Sequence, residues 1–345
     1  MVQLAGAYLE PNIVISPTFT YENLSQVEFW NTVKKDWGEI VVEINHKSTT
    51  RLRRESNPKY TYTSEKSIYL TQDGLISTEV PDDLESQVEA ISVIASHISS
   101  FLGVLNLGGL FLYTVCENHV FLAERVNNII MQCEGSGDRF MDTINNRSKN
   151  RFTVPLDIGD YLASNGKAQN IRAYESCPFL RTPDEIAAFY EHGNTIQETV
   201  QLSSDALVLE NDALESFTLR KFNSSLLHGW SFIEMVLDTI WRKEILSNVT
   251  GERKDRLKDN RTYSSAVKLE LLLQRELLSQ ELYDYLNHLR KLRNDLIHSS
   301  VRVNKVDIEL MFPKTNELLS LLTDKNPGIN RQGGAVPGTW IKGYD

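Results

Sequence analysis

The stretch "LYDYLNHLRKLRNDLIHSS", residues 282–300, decides how the second half of this 345-residue chain is read. Leu282, Tyr285, Leu286, Leu289, Leu292 and Leu296 recur at steps of three and four, the period of a helix with one apolar face. Ser279 precedes it as an N-cap, and Glu281 falls in the first turn, where negative charge is favoured. With Leu282 set at 0° and about 100° per residue, the apolar stripe spans roughly 280° to 60°. Arg293 lies at about 20°, inside that stripe, while Asn294 at about 120° and His298 at about 160° lie on the polar flank. Arg290 sits at the stripe's edge and Lys291 on the polar side. A guanidinium in a core-facing stripe must be paired or must open onto a second surface.

The neighbours of this helix are predicted helical too. Pro183 and Pro313 bracket a proline-free span rich in Leu, Glu, Lys and Arg. A first helix is expected over 213–246, with Leu219, Phe222, Leu226, Trp230, Ile233, Leu237, Ile240 and Trp241 as its stripe and Gly251 as its stop. A charged loop, "ERKDRLKDNR" (252–261), leads to a second helix over 264–278, opened by Ser264 or Ser265. A fourth helix is expected over 305–322, bent or divided by Pro313. Four helices with short links predict an all-α up-down bundle over 207–325, followed by a Gly/Pro-rich tail, 326–345. Glu234, on the shoulder of the first stripe, is the expected bidentate partner of Arg293.

Residues 1–206 are of another kind. They hold 16 Lys/Arg against 27 Asp/Glu, whereas 207–325 hold 18 of each, so a generic basic surface for nucleic acid is excluded and any RNA contact must be local. "EIVVEIN" (39–45), "YTYTS" (60–64) and "SIYLT" (67–71) predict strands, with turns at Asn57-Pro58 and Asp73-Gly74. A helix is expected from Asp82 or Asp83 past Ile98, a strand at "GLFLYTV" (109–115) and a helix at "HVFLAERVNNIIMQC" (119–133). The fold class is therefore α+β over 1–206 and helical after it. Residues 90–116 carry no Asp, Glu, Lys or Arg and are long enough to span a bilayer. Ser, His and Asn interrupt them and no Lys/Arg cluster flanks them, so a buried helix, a Gly108-Gly109 turn and a buried strand are expected, and no membrane span.

The remaining chemistry is bland. Cys116, Cys133 and Cys177 form no CxxC, which fits a reducing, cytoplasmic setting and excludes a zinc ribbon. "EGSGDR" (134–139) lacks the spacing and Lys of a phosphate-binding loop and is expected to be a turn. His46, His97, His119 and His192 show no metal spacing, and His228 and His288 lie on expected helices; all six are expected to be surface or hydrogen-bonded core residues. No paired acidic motif is placed for metal-dependent phosphate chemistry. Neither metal nor cofactor is implied.

"RNDLIH" (293–298) has its own meaning. With 19 Arg and 7 His in the chain, an Arg-to-His spacing of this kind arises by chance about once. Its place at the end of the third helix, after the Trp-bearing "LLHGWSFIEMVLDTIW" (226–241), is what resembles the HEPN superfamily. The family hallmark is an Arg, four to six residues, then a His, with a polar residue directly after the Arg; Arg293, Asn294 and His298 match it. The resemblance covers 207–325 only. It implies a metal-independent endoribonuclease that works as a homodimer, two motifs facing each other. His298 would be the general acid/base, Arg293 would hold the scissile phosphate, and Asn294 would orient one or the other. Glu234 would support the Arg. Arg290, Lys291, Arg253, Lys254, Arg256, Lys258 and Arg261 are candidate contacts to the RNA backbone. The alternative for 252–261 is a solvated mixed-charge turn, since Glu252, Asp255 and Asp259 stand among the basic residues. Many HEPN proteins are toxins or antiphage effectors, so the acidic half would be a sensor or the surface for a regulatory or antitoxin partner. The rival reading is a non-catalytic HEPN module that binds nucleotides or proteins as an adaptor.

Overall fold

The computed structural model describes residues 3–8, 13–15, 39–52, 54, 59–72, 74–110, 121–126, 129–133, 179–259 and 262–323. The expectations for 111–115, 134–139, the tail from 326, His119, Cys116, Cys177 and Arg261 lie outside the described residues. The described residues fall into two compact units. One runs to Leu102 and resumes between Leu112 and Phe189; the other comprises described residues 103–110 and 190–323.

The first unit is built on an antiparallel sheet. Strands β1 (Gln3–Tyr8), β3 (Ile40–Leu52), β4 (Tyr60–Thr71), β5 (Leu75–Glu79), β6 (Phe121–Val126) and β7 (Ile129–Cys133) pair in the order β3-β4-β5-β1-β6-β7. β2 (Ile13–Ile15) and β8 (Phe179–Arg181) form a separate short parallel pair, with Ile15 N donating to the Gln72 carbonyl just after β4 (2.9 Å). The two short strands predicted at 60–64 and 67–71 are one continuous strand, β4, and β3 runs beyond the predicted 45 to Leu52. In β3 the even positions Val42, His46, Ser48, Thr50 and Leu52 are buried and Glu43, Asn45, Lys47 and Arg51 are exposed, the period of two that a half-buried strand requires. The β4–β5 turn closes where Gly74, at φ 79°, lets its N–H reach Thr71 O, while Thr71 Oγ1 accepts from Leu75 N.

The segment expected to be a helix at 119–133 is instead the hairpin β6–β7, with Val126 paired to Ile129. An apolar run this short fits either state by periodicity.

Helix α1 (Gln87–Gly108) begins four to five residues later than expected, where Ser86 Oγ accepts from Glu89 N. Its stretch Val88–Gly108 is the one described helix long and apolar enough to cross a membrane. Of its most apolar stretch 61% is buried inside the protein, so packing accounts for its hydropathy. Gly109, at φ 104°, ends the helix at the turn read from the sequence.

The second unit is helical: the part of α2 (Pro183–Val200) from Tyr190 on, α3 (Ser204–Thr218), α4 (Phe222–Ile240), α5 (Gly251–Leu257), α6 (Ser265–Gln274), α7 (Gln280–Ser299), α8 (Lys305–Ile308) and α9 (Met311–Ser320). An α+β first part is thus followed by a helical one. The expected boundary at 206/207 falls inside α3. One contiguous core joins Val104, Leu207, Leu214, Trp230, Ile233, Leu237, Leu272, Leu286, Leu289 and Leu318.

The single helix expected over 213–246 is two. Its break is a Schellman turn made without glycine: Lys221 N donates to Ser216 O (2.8 Å), Arg220 N to Phe217 O (3.0 Å), and Arg220 takes φ 59°. Gln201 and Glu276 end α2 and α6 in the same way, at φ 61° and φ 60°. A side chain in this conformation costs about 1–2 kcal/mol, which the flanking packing offsets. α4 runs on into a π-type turn, Trp241–Ile245, and Gly251, expected to stop that helix, instead opens α5 at φ 63°. The expected charged loop is thus a short helix for most of its length. Pro313 sits in the first turn of α9, where no intrahelical N–H is lost, and the division from α8 precedes it at Glu309 and Leu310.

Helix packing in this unit leaves no room for one methyl at Gly193. A Cβ there would collide with the Val104 carbonyl of α1. Gly193→Ala is expected to lower stability by about 1–3 kcal/mol or more, because both partners are backbone and neither can swing away. Urea unfolding of the variant beside the parent measures it.

Candidate active site

Helix α7 is fixed at its start and middle and emerges from the core at its end. Ser279 caps it as predicted, its Oγ accepting from Leu282 N (3.1 Å). Lys314 of α9 reaches Glu281 (2.7 Å) and Glu317 (2.9 Å), holding the Glu281 carboxyl below its usual range. Leu282, Leu286 and Leu289 are fully buried. From Leu292 the burial fades: Leu292, Arg293, Asn294 and Leu296 are half-buried, and Asp295, Ile297 and His298 are exposed. Ser300, at φ 53°, ends the helix with its N–H on Asp295 O, and Val303 N then donates to Asn223 Oδ1 (3.0 Å) at the head of α4. The motif end is therefore anchored on both sides. Ser279→Ala is expected to cost about 1 kcal/mol by loss of the cap, read as a lower urea midpoint.

Arg293 and Asn294 are brought together. Arg293 Nη1 donates to Asn294 Oδ1 (3.1 Å), so the long side chain leaves the apolar stripe and turns toward the polar flank that also carries His298. Arg290 behaves alike, giving Nε and Nη2 to Asn287 Oδ1 (3.1 and 3.0 Å). Both guanidiniums are held by neutral amides, which fix their direction without cancelling their charge. Lys291 is exposed beside them. His298 in the last turn makes no hydrogen bond among the described residues, and its imidazole faces solvent.

The expected Glu234–Arg293 pair is not formed. Glu234 accepts from Ser265 Oγ (2.6 Å) and Asp238, one turn on, pairs with the buried Lys268 (2.6 Å). The acidic ridge of α4 is thus taken up by α6, which a projection of α4 and α7 alone does not reveal. Glu234 belongs to the α4–α6 contact and not to the motif.

The second basic group stands on α5. Arg253 and Arg256 are exposed and Lys254 is half-buried; Arg256 is bound by Glu252 (3.3 Å), and the adjoining Lys258 by Asp255 (3.2 Å). Local acids take up Arg256 and Lys258, which favours the solvated mixed-charge reading for those two residues, while Arg253 and Lys254 have no such ion pair among the described residues. Among the described residues no three His, Cys, Asp or Glu side chains gather to hold a metal ion.

Sequence reasoning missed two things beside the motif. Ile297 and Val301 are 48% and 43% exposed, an apolar rim on either side of His298. The Asn287–Arg290 bond was visible only as an i, i+3 spacing, one among many on the helix. Comparison with protein-family models, with curated proteins and with solved structures finds no match to this chain.

Proposed function

We propose that the helical unit is a HEPN-type endoribonuclease domain, with α4, α6, α7 and α9 as its four-helix bundle, and that it cleaves RNA without a metal. The observation that carries this reading is the Arg293–Asn294 hydrogen bond, which points an uncancelled guanidinium at the flank of His298. His298 takes the proton from a ribose 2′-OH, whose oxygen attacks the adjacent phosphorus. The 5′-oxygen leaves and is protonated by the same residue or by its counterpart in a second subunit. Arg293 stabilises charge growing on the phosphoryl oxygens, and Asn294 holds Arg293 in place. The products are a 2′,3′-cyclic phosphate and a 5′-OH end. The nucleophile comes from the substrate, so DNA is not cleaved.

A homodimer completes the site in this reading. Arg293 and His298 lie about 140° apart on an ideal helix, and the exposed Ile297 and Val301 offer apolar surface for a second copy beside the motif. The sheet unit then acts as sensor, or as the surface where a regulatory or antitoxin partner binds, and the whole protein serves as a cytoplasmic toxin or antiphage effector.

The test incubates the purified chain with RNA in excess EDTA and analyses the new ends. Cleavage that leaves cyclic phosphates supports the nuclease. Binding of RNA or nucleotide with no cleavage by the dimer supports the adaptor reading instead. Strong induction in a bacterial host is expected to arrest growth; normal growth with abundant soluble protein and no missing trigger contradicts the effector role.

A further inference from the structure

The inward face of β3 carries polar residues where a sheet core is ordinarily apolar. His46, Ser48 and Thr50 stand between Val42 and Leu52, all buried, and His46 and Ser48 meet Ser100 and His97 of α1. The contacts are reciprocal. Ser48 on the strand lies 2.6 Å from His97 Nδ1 on the helix, and Ser100 on the helix lies 3.2 Å from His46 Nε2 on the strand. His97 Nε2 is 3.3 Å from the Lys66 carbonyl of β4. That places the ring proton on Nε2 and makes Nδ1 the acceptor of the Ser48 hydroxyl. The two imidazoles are 5.1 Å apart, and Phe101 closes the edge of His46 at 5.6 Å. The two residues are 2% and 1% exposed.

The geometry points to an acid-sensitive latch: His46 and His97, neutral and cross-bonded to Ser100 and Ser48, clamp α1 to β3, and protonation of either ring releases the helix from the sheet. The surroundings supply the reason. From Ala90 to Gly108, α1 carries no acidic residue and no base other than His97. The charged residues of β3, Glu43, Lys47 and Arg51, occupy the odd positions that face away. β4 presents the Lys66 carbonyl, while the Lys66 ammonium is bound to Glu79 (3.0 Å). A proton on one ring therefore puts charge into a core whose helix brings no counter-charge, and a second proton adds repulsion at close range.

Burial pushes His46 down to about 3, with His97 adding to the effect, and burial pushes His97 down to about 4. Both lie below the ordinary value of 6.5, so the clamp is at full strength above pH 6.5 and weakens as pH falls toward about 4. Each released ring titrates normally, so between pH 7.5 and 5.0 opening becomes easier by about 30-fold for each histidine. α1 continues as residues 103–108 of the helical unit, so the latch acts on an element with residues in both.

Hydrogen–deuterium exchange of the full chain tests this, with protection factors corrected for intrinsic rate. Peptides covering 42–50 and 93–101 are expected to lose about 1000-fold in protection from pH 7.5 to 5.0, the product of two such titrations, while a peptide covering 282–289 holds. His97→Gln should reduce that loss to about 30-fold, and His46→Gln/His97→Gln should abolish it. Ser48→Ala keeps both rings and should keep the pH dependence, which covers the case of a double variant that does not fold. Protection that is flat with pH in the parent, an undiminished response in a His variant, or parallel loss at 282–289 overturns the latch.

Discussion

His298→Ala is expected to lower RNA cleavage in EDTA by about 10²–10⁴-fold, the contribution of a positioned general acid/base. The side chain is exposed and makes no described hydrogen bond, so the substitution should leave stability within about 0.5 kcal/mol, and loss of rate cannot be traced to unfolding. Arg293→Ala is expected to cost about 10²–10³-fold, as removal of a preorganised donor to the transition-state oxygens does. Arg293→Lys should not restore it: an ammonium lacks the second donor arm and would not keep both Asn294 and a phosphate. The double variant should fall no further than the worse single one, because the two residues serve one step. Single-turnover rates on one labelled RNA read all four proteins. Undiminished cleavage by His298→Ala would sink the assignment of acid/base chemistry to that residue.

Trp230→Ala is expected to bring the largest loss of stability, about 3–5 kcal/mol by transfer plus cavity terms. Trp230 is 1% exposed and sits in the contiguous core of the helical unit between Leu226 and Ile233 of its own helix. That loss is a large share of the whole stability of many domains, on the order of 5–15 kcal/mol. Urea unfolding followed by far-UV circular dichroism measures it. A midpoint within error of the parent would mean that the core around Trp230 is not packed as described.

Much of the fold was legible in the sequence because the periods were strong. Leu282, Leu286 and Leu289 face the core as their spacing requires, Ser279 caps as its position requires, and β3 and β4 form where β-formers alternate. The break in the 213–246 helix was not legible, since Arg220, Gln201 and Glu276 adopt the left-handed turn that glycine usually signals. Their stops are set by tertiary packing, not by local preference. The fate of Glu234 was hidden for a related reason. A helical projection says which face a residue shares, but the neighbour that claims it depends on how α6 is seated. His46 and His97 were read as scattered, yet residues 51 positions apart in the chain come together as a tilted ring pair in one core. At the motif, the projection placed Arg293 in the apolar stripe by its Cα, and the long, flexible side chain then carried its charge out to Asn294.

In the proposed reaction, Arg293 and His298 cleave by attack of the substrate's own 2′-OH. A labelled DNA oligonucleotide carrying a short RNA insert, incubated with the full chain in EDTA, measures it most directly. Cuts are expected only at linkages on the 3′ side of a ribonucleotide, ending in 2′,3′-cyclic phosphate and 5′-OH, with none when those riboses are 2′-O-methylated. Cuts in the DNA flanks, or ends bearing 5′-phosphate and 3′-OH, would contradict it.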